Sequence, residues 1–209
     1  MINDVSWWNN EFINNWEVGI DGKEQTLYFA QLMLNNLPNE VLTYLNTSGI
    51  SILDWGCALG QAVNLFEIRF PCANVVGLDF AKEAIKKARS RFPYSKFINR
   101  LFDKEIDRYD VIYTSNCLEH FTNPLDHIKE LLEGTGKYFI ALVPYNQGGF
   151  EGPMNMDCHL YSFREESFPY SLLGGQFVKH WEKVIPTTGN PLWNAEQILV
   201  IYRRVKGGE

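Results

Sequence analysis

A doubly wound α/β domain with a mostly parallel sheet is the fold this sequence predicts. Three observations predict it: strand-like and helix-like segments alternate from residue 51 to 143, a glycine turn follows the first strand, and an acidic residue ends the second. With 209 residues, 45% of them apolar, the chain is long enough to bury one full core, and no repeat or Pro/Gly/Ser-rich linker divides it. The expectation is a single domain over 1–209, with a helical cap at 1–47, a cofactor-binding core at 48–145, and a substrate loop with a C-terminal hairpin at 146–209.

The elements follow in order. Residues 3–47 carry helical spacing through Leu27, Ala30, Gln31 and Leu34, then Val41, Leu42 and Leu45, with Pro38 dividing two runs. Residues 51–55 form a short apolar run ending at Gly56, and 61–69 return to helical spacing through Val63 and Phe66. The unit repeats as a strand at 74–79 and a basic amphipathic helix at 81–91, stopped before Pro93. Strands at 96–99 and 110–114, a helix at 124–133 and an apolar strand at 137–143 complete the alternation. Beyond Pro144 the pattern changes to a glycine-rich loop (Gly148, Gly149, Gly152) and a helix-like stretch at 165–173. Two β runs, 177–185 and 197–205, then read as an antiparallel hairpin around Gly189, Asn190 and Pro191.

Composition narrows the partners. A formal charge of −6 opposes a phosphate backbone, and Lys82, Lys86, Lys87, Arg89 and Arg91 have the spacing of a solvated helix face, so nucleic acid is not the expected partner. Cys57, Cys72, Cys117 and Cys158 lie far apart with no C-x-x-C pair, which reads as reduced thiols. There is no long apolar run, and Asp4, Glu11 and Glu17 occupy the first twenty residues, so a cytoplasmic protein without a membrane partner is expected. Oligomeric state stays open.

The chemistry concentrates in the turn Asp54-Trp55-Gly56-Cys57-Ala58-Leu59-Gly60. Gly56 and Gly60 remove side chains where a ligand approaches backbone, and Asp54 sets a carboxylate beside a cationic ligand group. An ordinary βα turn is the plain alternative. Asp79, 25 residues later, suits the two hydroxyls of a ribose, with Phe80 beside it for an adenine ring; the plain alternative is a helix-capping Asp before Ala81. A dinucleotide dehydrogenase would carry G-x-G-x-x-G, whereas this turn reads G-C-A-L-G with Ala58 at the middle position.

Four segments in order, ILDWGCALG at 52–60, VVGLDF at 75–80, YDVIYTSNCLEHF at 109–121 and GKYFIALVP at 136–144, resemble the successive motifs of class I S-adenosylmethionine-dependent methyltransferases, above all a small-molecule subgroup with an L-E-H segment after the fourth strand. The resemblance implies a Rossmann-like fold with a seven-stranded sheet, its last strand antiparallel, and S-adenosylmethionine as methyl donor. It implies that Asp54, Gly56, Cys57 and Gly60 surround the methionine part, Asp79 the ribose, Phe80 and Leu101 the adenine, and Ser115 and Asn116 the sulfonium. Relatives often place an acidic residue after the third strand for the adenine amino group; here the chain reads Asn99-Arg100-Leu101.

Methyl transfer is an in-line displacement in which positioning and exclusion of water do most of the work, and a base is optional. His120 is the candidate base and Glu119 its neighbour at the rim of the donor site; a histidine hydrogen-bonded at a helix start is the plain alternative. Tyr28, Tyr145, His159 and Tyr161 are candidates for holding substrate, with Trp7, Trp8, Trp16, Phe29 and Trp193 as further aromatic walls or simple packing. His127 and His180 receive no role. Glu119, His120 and His159 also match the metal trio of methyltransferases that act on the 3′-terminal ribose of small RNAs. Those carry a further Glu where this chain has Asn116, and with the acidic charge balance the expectation is no metal ligand. The function expected is methylation of an O or N atom of a small polar metabolite, for instance a sugar or nucleotide-linked sugar; the alternatives are metal-assisted RNA ribose 2′-O-methylation or an inactive methyltransferase-like binding domain.

Overall fold

The computed structural model describes residues 2–19, 21–149, 151–156, 158–187 and 195–205. These fall into two compact units, 1–102 and 103–209.

In the first unit three helices precede the sheet: α1 (Val5–Asn14), α2 (Gly22–Leu34) and α3 (Asn39–Leu45). Sequence spacing gave two helical runs here. The additional helix starts where Asp4 accepts the amide of Trp7 at 2.8 Å and so satisfies one of the orphan donors of its first turn. Then come β1 (Ser51–Trp55), α4 (Gln61–Arg69), β2 (Asn74–Asp79), α5 (Lys82–Arg91) and β3 (Lys96–Asn99), with β1 parallel to β2 and β2 parallel to β3. Parallel pairing needs a crossover helix at each step, and α4 and α5 supply the two.

The basic face of α5 is solvated at Lys82, Lys86 and Arg89, as expected, but not at Lys87 and Arg91. Lys87 and Arg91 both pair with Glu17, at 2.8 and 2.6 Å, and Lys87 also donates to the carbonyl of Phe12. Arg89 donates to the carbonyl of Phe97, and Asn9 of α1 accepts the amide of Glu83 in the first turn of α5. Charge and capping together dock α1 on α5. Beneath them Trp8, Phe12 and Trp16 pack against one another and against Ala58, Leu59, Ala81 and Ala84, so these tryptophans serve packing.

The second unit holds β4 (Tyr109–Ser115), a 3₁₀ turn at Leu118–His120, α6 (Pro124–Glu133) and β5 (Thr135–Pro144), with β4 and β5 parallel. Next is a short antiparallel pair apart from the main sheet, β6 (Gly152–Met156) with β7 (His159–Ser162). Then β8 (Ser171–Leu172), β9 (Phe177–Ile185) and β10 (Gln197–Arg204) follow, where β10 pairs antiparallel with both β5 and β9. The closing hairpin is thus as expected, while its turn residues Gly189, Asn190 and Pro191 lie outside the described residues.

Two expectations are corrected. Among the described residues the main sheet counts eight strands rather than seven, because the two-residue β8 adds to β9. The stretch 165–173 is a 3₁₀ turn followed by β8, since Pro169 ends the turn and Leu173, at φ +50, leaves the helical region before Gly174. The parallel strands and β10 are apolar along their length, with Ile52, Leu53, Val75, Leu78, Ile112, Phe139, Ile140, Val200 and Ile201 buried, as sheets covered on both faces require. No helix among the described residues is long and apolar enough to cross a membrane.

Candidate functional site

The glycine turn after β1 passes through the left-handed region three times, at Gly56 (φ +76), Ala58 (φ +46) and Gly60 (φ +84). A side chain other than glycine is strained there, by about 1 kcal/mol, and the Ala58 backbone needs an anchor. Asp79 is that anchor. Its Oδ2 accepts the amide of Ala58 at 3.0 Å and its Oδ1 the amide of Ala81 at 2.8 Å, so the helix-capping role and the tip-of-strand position coincide. Each carboxylate oxygen keeps a second lone-pair direction for a hydroxyl.

Gly60 also has a packing reason to be glycine. A Cβ there would lie 2.6 Å from the Phe97 ring and 3.2 Å from Phe92, so its small size lets α4 start against these rings. Cys57 is buried with its thiol turned toward Gly77, which places its side chain in the core beneath the turn.

Asp54 is 3% exposed, and its Oδ2 has no hydrogen-bond partner among the described residues; the same holds for both amide atoms of buried Gln61, the first residue of α4. Burial with nearby Asp79 pushes the Asp54 carboxyl up to about 8, and burial raises Asp79 to about 6 against the pull of its two amide donors. At neutral pH the anchor carries the charge and Asp54 mostly keeps its proton. Orphaned polar atoms this deep are costly unless a ligand completes them. An ammonium suits Asp54, and a carboxylate suits the open amides at the start of α4 with the Gln61 carboxamide. An amino-acid moiety carries both, so the residues fit the methionine end of S-adenosylmethionine. Gln61 was not among the residues singled out from sequence; its position directly after the last turn glycine was the available signal.

Asn99, at the end of β3, donates to the carbonyls of Asp79 and Phe80 at 3.0 and 2.9 Å, spending its amide hydrogens on the tip of β2. Its carbonyl is the group of a type that suits an adenine amino hydrogen. Phe80 is half-buried against the α1 aromatic cluster, and Leu101 is 68% exposed. Tyr28 is half-buried on α2, edge to face with Phe29 at 5.2 Å.

In the second unit Ser115 closes β4, and Asn116 follows at φ +48, its amide donating to Leu142 and its Nδ2 to the Ser115 hydroxyl. Glu119 and His120 sit in the 3₁₀ turn and are buried, 1% and 8% exposed, rather than lying open at a rim. Burial pushes the Glu119 carboxyl up to about 8 and the His120 imidazole down to about 3, so both are neutral at pH 7. His120 and His159 meet edge to face with ring centroids 5.0 Å apart. The third member of this group is Cys158, not Glu119. Tyr145 and Tyr161 direct their hydroxyls to Glu165 and Glu151, at 2.8 and 2.6 Å, and the Tyr161 hydroxyl is pushed up to about 12. His127 packs on Phe121 and His180 on Tyr138. Trp193 lies outside the described residues.

Comparison with known proteins places the fold in a family. The chain is 30% identical over 99 residues to a trans-aconitate 2-methyltransferase of Rhodopseudomonas palustris (strain BisB5), covering 46% of this chain and 39% of that one. It is 26% identical over 152 residues to a malonyl-[acyl-carrier protein] O-methyltransferase of Paenibacillus sp. (strain JDR-2), covering 66% and 54%. It thus spans less than two thirds of the length of either relative. The crystal structure of magnesium protoporphyrin IX methyltransferase from Synechocystis PCC 6803 with bound S-adenosylmethionine superimposes with a TM-score of 0.67 at 14% identity, covering 98% of this chain and 99% of that one. A family model described as a methyltransferase domain matches residues 27–168, more than half of the sequence. With that match, the chain belongs to the methyltransferase-domain family and has the Rossmann-like fold of the class I S-adenosylmethionine-dependent methyltransferases.

Proposed function

We propose that the protein transfers a methyl group from S-adenosylmethionine to an oxygen of a small polar acid. The observation that carries the donor half is the buried Asp54, whose Oδ2 lacks a partner among the described residues at the foot of a left-handed turn anchored by Asp79. The bound donor supplies a methyl carbon attached to a positively charged sulfur. The acceptor lone pair forms a bond to that carbon while the carbon–sulfur bond breaks and its electron pair stays on sulfur. Positive charge disperses along this path, so the work left to the protein is to hold, align and exclude water.

Within that division Asp54 and Gln61 bind the amino-acid end. Asp79 and Ala58 fix the turn and present a carboxylate to the ribose, and Asn99, Phe80 and Leu101 frame the adenine. Ser115 and Asn116 are the residues proposed for the sulfonium side. Tyr28, Tyr145, His159 and Tyr161 are those proposed for the acceptor.

The acceptor class rests on the names of two of the sequence relatives, a trans-aconitate 2-methyltransferase and a malonyl-[acyl-carrier protein] O-methyltransferase, since trans-aconitate and a malonyl group each present a carboxylate. A carboxylate arrives with its lone pairs exposed and releases no proton on methylation, so no base is required. The hydroxyl of a sugar or nucleotide-linked sugar, the acceptor that the sequence suggests by itself, would have to hand its proton to a neighbouring group.

The test is transfer of labelled methyl to panels of di- and tricarboxylates, sugars and amines. Label that returns as methanol after mild alkali marks a methyl ester and supports the reading. Alkali-stable label on a sugar or amine would replace the acid by that class, and no product with a donor that binds would favour a binding domain.

A further inference from the structure

We propose that His120, Cys158 and His159 form a three-ligand site for a divalent cation of the zinc class, with its fourth position open to water or an oxygen ligand. One donor atom from each of the three lies within 4.8 Å of the others. Tetrahedral zinc, with bonds of about 2.0 Å to nitrogen and 2.3 Å to sulfur, sets its ligands about 3.4 Å apart, so closing the site takes side-chain shifts of roughly 1 Å.

The hydrogen bonds around the rings are those a metal site needs. His120 Nδ1 stands 3.0 Å from the carbonyl of Cys158, and His159 Nδ1 stands 2.7 Å from Oε1 of Gln147. Both partners accept, so both rings donate from Nδ1, which assigns Nε2 as the nitrogen proposed to bind the cation. Outer oxygen partners of this kind fix tautomer and ring orientation at metal-bound histidines. The scaffold is also in place: His120 belongs to the 3₁₀ turn, His159 opens β7, and β7 packs against that turn. Two nitrogens and one thiolate select zinc over magnesium or calcium, which prefer oxygen. Three protein ligands leave room for a fourth, as in sites where zinc polarises a bound oxygen.

The inference does not depend on methyl transfer, and its test reads metal directly. Full-length protein is stripped with chelator and titrated with zinc ion against a chromophoric indicator, then loaded with cobalt(II) as a spectroscopic stand-in. The expected result is one zinc per chain, an intense visible cobalt spectrum of four-coordinate type and a thiolate-to-cobalt band in the near ultraviolet. Cys158→Ser should remove that band, and His159→Ala should weaken zinc by about 100-fold. Cys72→Ser, at an exposed cysteine outside the group, should change neither. Gln147→Ala keeps every ligand and should cost about 10-fold, which covers the case in which a ligand variant folds poorly. Wild-type protein that takes up no zinc, or binds it equally in the Cys158 and His159 variants, overturns the site. Donor affinity measured on the same metal-free samples keeps that outcome separate from any failure of the methyl-transfer reading.

Discussion

Asp79 holds Ala58 in a left-handed conformation by accepting its amide at 3.0 Å, and the loop that Asp79 anchors is the loop that would receive the donor's amino-acid end. A hydrogen bond to a charged acceptor contributes about 1.5–3 kcal/mol, enough to offset about 1 kcal/mol of strain at Ala58. Asp79→Ala removes both amide acceptors and the proposed ribose contact together. Calorimetry should show donor affinity reduced by about 100-fold or more, and urea unfolding a loss of about 2 kcal/mol. Adding Ala58→Gly relieves the strained conformation and should return part of the stability but little of the affinity. A variant lacking Asp79 that binds the donor as tightly as wild type would remove the sugar contact from the proposal.

The pair Asp54 and Asp79 gives the ligand-free protein an unusual pH dependence. Both carboxyls are raised on folding, to about 8 and about 6 from 3.8, so the folded state binds more protons than the unfolded chain. Stability from this source is full below pH 4 and is lost as pH rises through 6 and then 8. The loss should be on the order of 5 kcal/mol between pH 5 and 8.5, most of it from Asp54, so Asp54→Asn should flatten most of it. An ammonium beside Asp54 favours the ionised carboxylate, so donor binding at pH 7 should release a proton. Calorimetry in buffers of different ionisation enthalpy reads that proton directly; a binding heat independent of buffer would count against Asp54 as the ammonium's partner.

How far the sequence discloses this site depends on whether a residue's role is local. The positions of Asp54, Gly56, Gly60 and Asp79 are legible because a strand, a tight turn and a strand tip leave a short-range pattern. Gln61 and Cys158 are of residue types that occur anywhere. What distinguishes Gln61 is a buried amide without partners among the described residues, and what distinguishes Cys158 is a neighbour 38 positions away, His120, bonded to its carbonyl. The same limit applies to the fold. The alternating strands and helices from 51 to 143 follow from periodicity, whereas β6 and β7 carry Gly152 and Pro153 and too few alternating residues to announce a hairpin. Lys87 and Arg91 read as solvated because their partner, Glu17, lies 70 and 74 residues earlier.

Glu17 makes the attachment of α1 sensitive to acid. Lys87 and Arg91 hold its carboxyl below the usual range, so the stabilisation is present above about pH 4.5 and lost as pH falls further. All three side chains are about 30% exposed, and screening limits the pair energies to about 1 kcal/mol in total. Glu17→Gln should therefore barely change global unfolding, yet it should speed proteolysis near residue 15 and raise iodide quenching of Trp8 and Trp16. High salt should mimic the variant. Equal protease resistance in both proteins would show that the aromatic cluster holds α1 without help from charge.

Gly60 and Gly49 separate conformation from crowding. Both have positive φ, +84 and +81, but a Cβ at Gly49 meets nothing within 4 Å whereas one at Gly60 meets the Phe97 ring at 2.6 Å. Gly49→Ala should cost only the left-handed penalty of about 1 kcal/mol. Gly60→Ala adds overpacking of about 1–3 kcal/mol, because Phe97 is buried and its ring has little room to withdraw. The excess should shrink when Phe97→Leu is added to Gly60→Ala, and a double-mutant cycle in urea measures the coupling. Gly60 is the N-cap of α4, so displacement there moves Gln61, and donor affinity should fall in Gly60→Ala but not in Gly49→Ala. Equal destabilisation by the two alanines would mean that only the backbone conformation matters at Gly60, and that its proximity to Phe97 carries no energy.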